Sequence, residues 1–133
     1  MSAMTSGGIV LRVEPGDDGL AFIPASIALR VAPPPATARV PGAPRELVGI
    51  AAHEGDVLPV VAIGGGQTAM VVCAASGELV GLVGGTVLAT GVFDANGAPP
   101  GGVVYEGTAV RPLDVASIVA RIQAGARGER WGG

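Results

Sequence analysis

The sequence predicts an all-β chain, a barrel or sandwich of short strands finished by one C-terminal helix. Three observations lead there. The apolar runs are short and rich in Val, Ala and Leu, and 23 Gly and 11 Pro punctuate them along 133 residues. The runs follow one another strand by strand, with turn residues between them, which argues against a parallel α/β sheet. Only after Asp114 do apolar residues fall at helical spacing, at Val115, Ile118, Val119 and Ile122.

Each element has its own reason. "GGIVLRVE" (7–14) and "LAFIP" (20–24) read as a hairpin around the turn "PGDDG" (15–19). "ASIALRV" (25–31) fits either a helical turn or a strand, and "APPPATARVPGAP" (32–44) is too rich in proline for either, so it reads as an extended surface connection. "VGIAAHEGDVLPVVAI" (48–63) reads as a second hairpin reversing at Gly55-Asp56. Pro59 inside its second arm lacks a ladder donor, so that arm is expected at a sheet edge, at a bulge, or with Pro59 near its start.

"GGGQT" (64–68) then connects to "AMVVCAA", "ELVGLVGG" and "TVLATGVFD", three strands separated by Ser76-Gly77 and Gly84-Gly85. "ANGAPPGG" (95–102) is a loop, and "VVYEGTAVRPL" (103–113) is a hairpin turning at Glu106-Gly107. Asp114 caps the helix and Gly125 ends it. The count is about nine or ten strands in one domain spanning 7–124, with a flexible tail over 125–133 that contains Trp131.

Composition removes several function classes. Hydrophobic residues make up 49% of the chain, yet no apolar run approaches the ~20 residues of a membrane span. "MSAMTSGG" has neither the basic nor the apolar region of a secretory signal. Net charge is −3, the eight cations are scattered arginines and only four residues are aromatic, so no nucleic-acid surface is expected. Cys73 is the only cysteine, in an apolar run, and reads as a small buried hydrophobe in a reducing compartment.

No catalytic constellation appears. His53 is the only histidine, no Cys/His cluster suits zinc, no G-x-S-x-G elbow occurs, and the glycines at 64–66 are not followed by the Lys-Ser/Thr of a phosphate loop. No enzyme activity, cofactor or metal is expected. The Gly-rich strands leave a small ligand-binding barrel as an alternative, although no convergent polar groups identify a ligand.

In their order, four segments resemble the CheW family, adaptors of bacterial chemosensory arrays, from about Gly8 to Gln123. "LAFIPASIALRVAPPPATARVPGAP" is similar to the family's early strand and proline-bearing connection. "VGIAAHEGDVLPVVAI" resembles the motif G-x-x-N-L-R-G-x-x-(V/L)-P-(V/I)-x-D-L, with Gly49, Gly55, Val57, Leu58, Pro59 and Val60 falling on it. "ELVGLVGGTVL" and "VYEGTAVRPLDVASIV" resemble the second-lobe strands, the closing strand pair and the start of the helix.

The resemblance implies two five-stranded barrels packed side by side with a short C-terminal helix, no catalysis, and a cytoplasmic place at receptor arrays. It implies two partners, the regulatory domain of a CheA-like histidine kinase and the cytoplasmic tip of a chemoreceptor. By position in the motifs, His53, Glu54, Gly55 and Asp56 would contact the kinase, and Ala69, Val71, Gly81, Val83 and Val87 would line a receptor groove between the barrels.

The chain departs from the motif where Ala52, His53 and Glu54 replace Asn, Leu and Arg, where Ala62 and Gly85 replace aspartates, and in the short "GGGQT" connection. A sign reversal at a contact face implies either partners with compensating changes or an accessory protein that retains one of its two contacts.

Overall fold

The computed structural model describes residues 4–13, 19–65 and 69–129, with only the course of the helix given from 124. The expected turn at 15–19, most of which is undescribed, residues 66–68 of "GGGQT" and Trp131 in the tail lie outside the described residues. Ten strands and one helix follow in order: β1 (Thr5–Val13), β2 (Leu20–Pro24), β3 (Ala28–Ala32), β4 (Leu47–His53), β5 (Asp56–Ala62), β6 (Met70–Ala75), β7 (Glu78–Val83), β8 (Gly85–Asp94), β9 (Val103–Tyr105), β10 (Thr108–Val110) and α1 (Val115–Glu129). The ambiguous stretch 25–31 resolves into a turn at 25–27 and the strand β3. The helix runs past Gly125 to Glu129, so most of the expected tail is helical.

The strands form two five-stranded sheets. A terminal sheet has the order β10-β9-β8-β1-β2 and a central sheet the order β3-β6-β7-β5-β4. The terminal sheet closes on itself through backbone bonds from β2 to the chain beyond β10. Phe22 N–H donates to the Arg111 carbonyl at 2.9 Å, and Leu113 N–H donates to the Phe22 carbonyl at 2.8 Å. The free side of β4 is covered by the proline-rich connection, where Ala38 and Ile50 exchange N–H···O bonds of 2.8 and 2.9 Å. That segment protects a strand edge that would otherwise offer unpaired donors and acceptors.

The same exchange explains Pro59. Ile50 spends both backbone groups on Ala38, so its pairing with Pro59 across the hairpin is the non-hydrogen-bonded kind. The proline nitrogen therefore points toward β7, and the parallel β5–β7 ladder begins only at Val60–Gly81. β5 is thus an interior strand and not an edge, and it tolerates the proline because Pro59 lies just before that ladder starts. "GGGQT" joins two strands of the same sheet, β5 and β6, and does not cross between lobes.

Three turns share one geometry. Glu54-Gly55, Ser76-Gly77 and Glu106-Gly107 all have positive φ at both positions, 50° and 86°, 54° and 77°, 49° and 80°. Two-residue loops of this kind match the right-handed twist of the flanking strands. The first reversal therefore falls at Glu54-Gly55, one residue before the expected Gly55-Asp56.

Strand periodicity distributes side chains among three cores. Val10, Phe22, Val103 and Val110 fill the terminal barrel. There Phe93 stands edge-on to both Phe22 and Tyr105, with ring centroids 6.0 and 6.1 Å apart. Ala51, Leu58, Val60, Met70 and Val72 fill the central barrel. The intervening residues, including Ile9, Leu11, Ile23, Val61, Val71, Cys73, Val80 and Leu82, join Val115, Ile118, Val119 and Ile122 of α1 in a third core between the barrels. Each large aliphatic side chain so buried contributes about 1.5–3 kcal/mol.

Gly84 joins the two sheets at φ 98°, and a Cβ there would collide with the Gly64 carbonyl oxygen. Gly55 also has positive φ but nothing within 4 Å of its Cβ direction. Gly84→Ala should cost about 2–4 kcal/mol and Gly55→Ala roughly 1 kcal/mol in urea unfolding. Equal losses would mean that strain alone, and not the close backbone approach, sets the requirement at Gly84.

Candidate interaction surfaces

The expected kinase-contact residues lie together at one end of the central barrel. His53 ends β4, Glu54 and Gly55 form the turn, and Asp56 begins β5. Glu54, Gly55 and Asp56 are exposed, while His53 is half-buried. Glu54 is ion-paired to Arg30 on β3. With 46% and 57% of the two side chains exposed, the pair is a surface ion pair worth at most about 1 kcal/mol. His53 Nε2 lies 3.7 Å from the Glu54 carboxylate, with no hydrogen-bond partner.

The outer face of this hairpin is apolar. Ile50 is 40% exposed and Val57 72%, with Ala52 directly opposite Val57 and Pro59 opposite Ile50. Ala38 extends the face beyond β4. Exposed apolar residues gathered on one sheet face mark a contact surface more often than isolated ones do.

The five expected groove residues do not form one surface. Val71 is 3% exposed and points into the core between the barrels, whereas Gly81 points the other way, into the central barrel beside Met70 and Leu58. Val83 follows Gly81 on that inner side and lines a small cavity with Pro34 and Pro35. Val87 packs against the core between the barrels, and Ala69 is half-buried just before β6. Motif position fixes strand order, but the two-residue period of a strand decides which face each residue meets.

A cleft between the barrels opens elsewhere. It has a volume of about 650 Å³ and is lined by both sheets and the start of α1, among others by Pro24, Ile27, Ala75, Pro100, Arg111 and Ala116. The β2–β3 turn supplies Ile27, the β6–β7 turn Ser76, and the loop after β8 its prolines. Sequence reading missed this set because its members come from distant segments. The pair Pro99-Pro100 was the one local sign of chain made to line this cleft. Arg30, the only charged residue in "ASIALRV", was the sign of a surface partner there.

Burial pushes the Cys73 thiol up to about 12, far from the thiolate range of reactive cysteines. Among the described residues no cluster of His, Cys, Asp and Glu could hold a metal, and no helix is long and apolar enough to cross a membrane.

Asp114 shapes the cleft's rim by capping α1. Its carboxylate accepts from Ser117 N–H at 3.1 Å and from Ser117 Oγ–H at 2.6 Å. Chiefly the Ser117 side-chain bond, then the backbone bond, hold its carboxyl below the usual carboxylate range, with Arg121 adding to the shift. A carboxyl depressed in the folded state contributes stability above its unfolded pKa and loses it as pH falls through the folded value. Asp114→Ala should lower the melting temperature at neutral pH, and the gap from wild type should close in acid below the ordinary carboxylate range. A gap that persists at low pH would assign the loss to something other than the ionised cap.

Neither a protein-family model nor a curated protein matches the chain. Among solved structures the chain is similar to the crystal structure of the scaffolding protein TtCheW from Thermoanaerobacter tengcongensis, with TM-score 0.58 and 16% sequence identity. That similarity covers 70% of this chain and 64% of the TtCheW chain, so the match spans under two thirds of the other protein's length. The chain thus has a CheW-like all-β fold, two five-stranded sheets side by side with a C-terminal helix.

Proposed function

We propose that the protein is a non-catalytic scaffolding adaptor that joins the cytoplasmic tip of a chemoreceptor to the regulatory domain of a CheA-like histidine kinase. The observation that carries the reading is the pair of separate surfaces on a CheW-like fold. One is the apolar cleft between the barrels and the other is the hairpin tip at the end of the central barrel. An adaptor needs two such surfaces on a rigid body.

The cleft suits an amphipathic helical hairpin, whose apolar side chains would lie against Pro24, Ile27 and Pro100. The tip residues His53 to Asp56, with the outer face of β4 and β5, form the kinase side. On this reading the receptor groove is the observed cleft and not the set of Ala69, Val71, Gly81, Val83 and Val87.

The test is a titration of the purified protein against the kinase regulatory domains and receptor tips encoded in its own genome. Binding to one of each is expected. Ala116 is exposed on α1 and lines the cleft, so Ala116→Arg should weaken receptor-tip binding at least about tenfold while leaving kinase binding and the melting temperature unchanged. Failure of wild type to bind either class of partner would overturn the adaptor reading. Receptor binding unaffected by Ala116→Arg would move the receptor site away from the cleft.

A further inference from the structure

The hairpin tip carries an acid where the resembling motif has arginine, and the structure supplies the cation within the same chain. Arg30 reaches Glu54 from β3, the opposite margin of the central sheet from β4. No β3–β4 ladder spans this margin, because β4 pairs instead with Ala38 on the proline-rich connection. Beyond the Ala38–Ile50 bridge, the Arg30–Glu54 pair ties the tip back to β3. Glu54 is therefore already paired within its own barrel, at the surface. Asp56 has no ion-pair partner among the described residues and stands next to Val57, which is 72% exposed.

We infer that Glu54 is a positioning residue satisfied by Arg30. Recognition at this end of the molecule then falls to the apolar outer face of Ile50, Ala52 and Val57, with exposed Asp56 at the hairpin end on the other side of the strand, paired with His53. This inference rests on the proposed adaptor function and adds the partner's chemistry: an apolar protein face that covers Ile50, Ala52 and Val57, with a lysine or arginine at its margin that reaches round the hairpin end to Asp56. A direct role for Glu54 would require the partner's cation to compete with Arg30 for the same carboxylate. Asp56 has no such competitor.

The experiment titrates the regulatory domain of the CheA-like kinase from the same genome with wild type, Arg30→Glu, Glu54→Arg, the double swap of both, Asp56→Lys and Val57→Asp. Amide exchange at His53 and Asp56, the pair that closes the turn, is followed on the same samples without any partner. Each single change at the ion pair should weaken binding about three- to tenfold and speed exchange at the tip, and the double swap should restore both to within about twofold of wild type. Asp56→Lys and Val57→Asp should weaken binding at least about tenfold with exchange and melting temperature unchanged.

A double swap that binds as poorly as Glu54→Arg would make Glu54 a direct contact and overturn the assignment. Full binding by Asp56→Lys and Val57→Asp would overturn the recognising face. If wild type does not bind the kinase domain, the adaptor reading and the recognising face fall together. The exchange data then decide the positioning role alone, and tip amides indifferent to Arg30→Glu would overturn it.

Discussion

The core between the two barrels is the constraint on which the rest of the structure depends. β1, β5, β6 and β7 each place alternate side chains into their own barrel and the rest into this common layer, which α1 covers from the side. Strands buried on both faces have no room for polar alternation, which is why "AMVVCAA" and "ELVGLV" read as continuous apolar runs. It also explains why a chain with 49% hydrophobic residues needs no membrane-spanning helix to account for them. The barrels are small, so the layer between them must be filled from both sides. The central barrel is as tight within, since a Cβ at Gly81 would come within 2.5 Å of Met70 Sδ.

Much of this architecture was legible locally. Gly at the second position of a two-residue turn marked the reversals at Ser76-Gly77 and Glu106-Gly107. β2 was found to the residue, and the helical spacing of Val115, Ile118, Val119 and Ile122 marked the face that enters the common core. The reversal after β4 was misplaced by one residue because Glu54, not Asp56, adopts the left-handed conformation, although the same Glu-Gly dipeptide marked the turn at Glu106-Gly107. Pro59 suggested a sheet edge, a bulge or a strand start. Its actual accommodation depends on which side of β4 Ala38 occupies, a pairing between residues twelve positions apart.

The functional surfaces were less legible, and for a physical reason. Motif matching orders strands along the chain but carries no information on which face of a strand meets solvent. Val71 and Gly81 were grouped by motif, yet the sheet turns them to opposite sides. The cleft is built from turns and loops that meet only after both barrels have closed. The tip, by contrast, is local, its four residues being consecutive in the chain. Its electrostatic partner Arg30 sits on another strand, so the sequence showed a reversed charge without showing what neutralises it.

The order of the strands has a consequence for how the chain is made. The central sheet draws on one continuous stretch, β3 to β7, whereas the terminal sheet joins β1 and β2 to β8, β9 and β10. One barrel is thus an insertion within the other, entered through the turn at 25–27 and left through Gly84. During synthesis the inserted barrel has all its strands once Val83 has emerged, while the first hairpin waits for β8 and for the bonds that Phe22 makes with Arg111 and Leu113. Contacts of such long sequence separation form late. The half of the molecule that begins first is therefore completed last, and until then Ile9, Leu11 and Ile23 lack the layer they finally share.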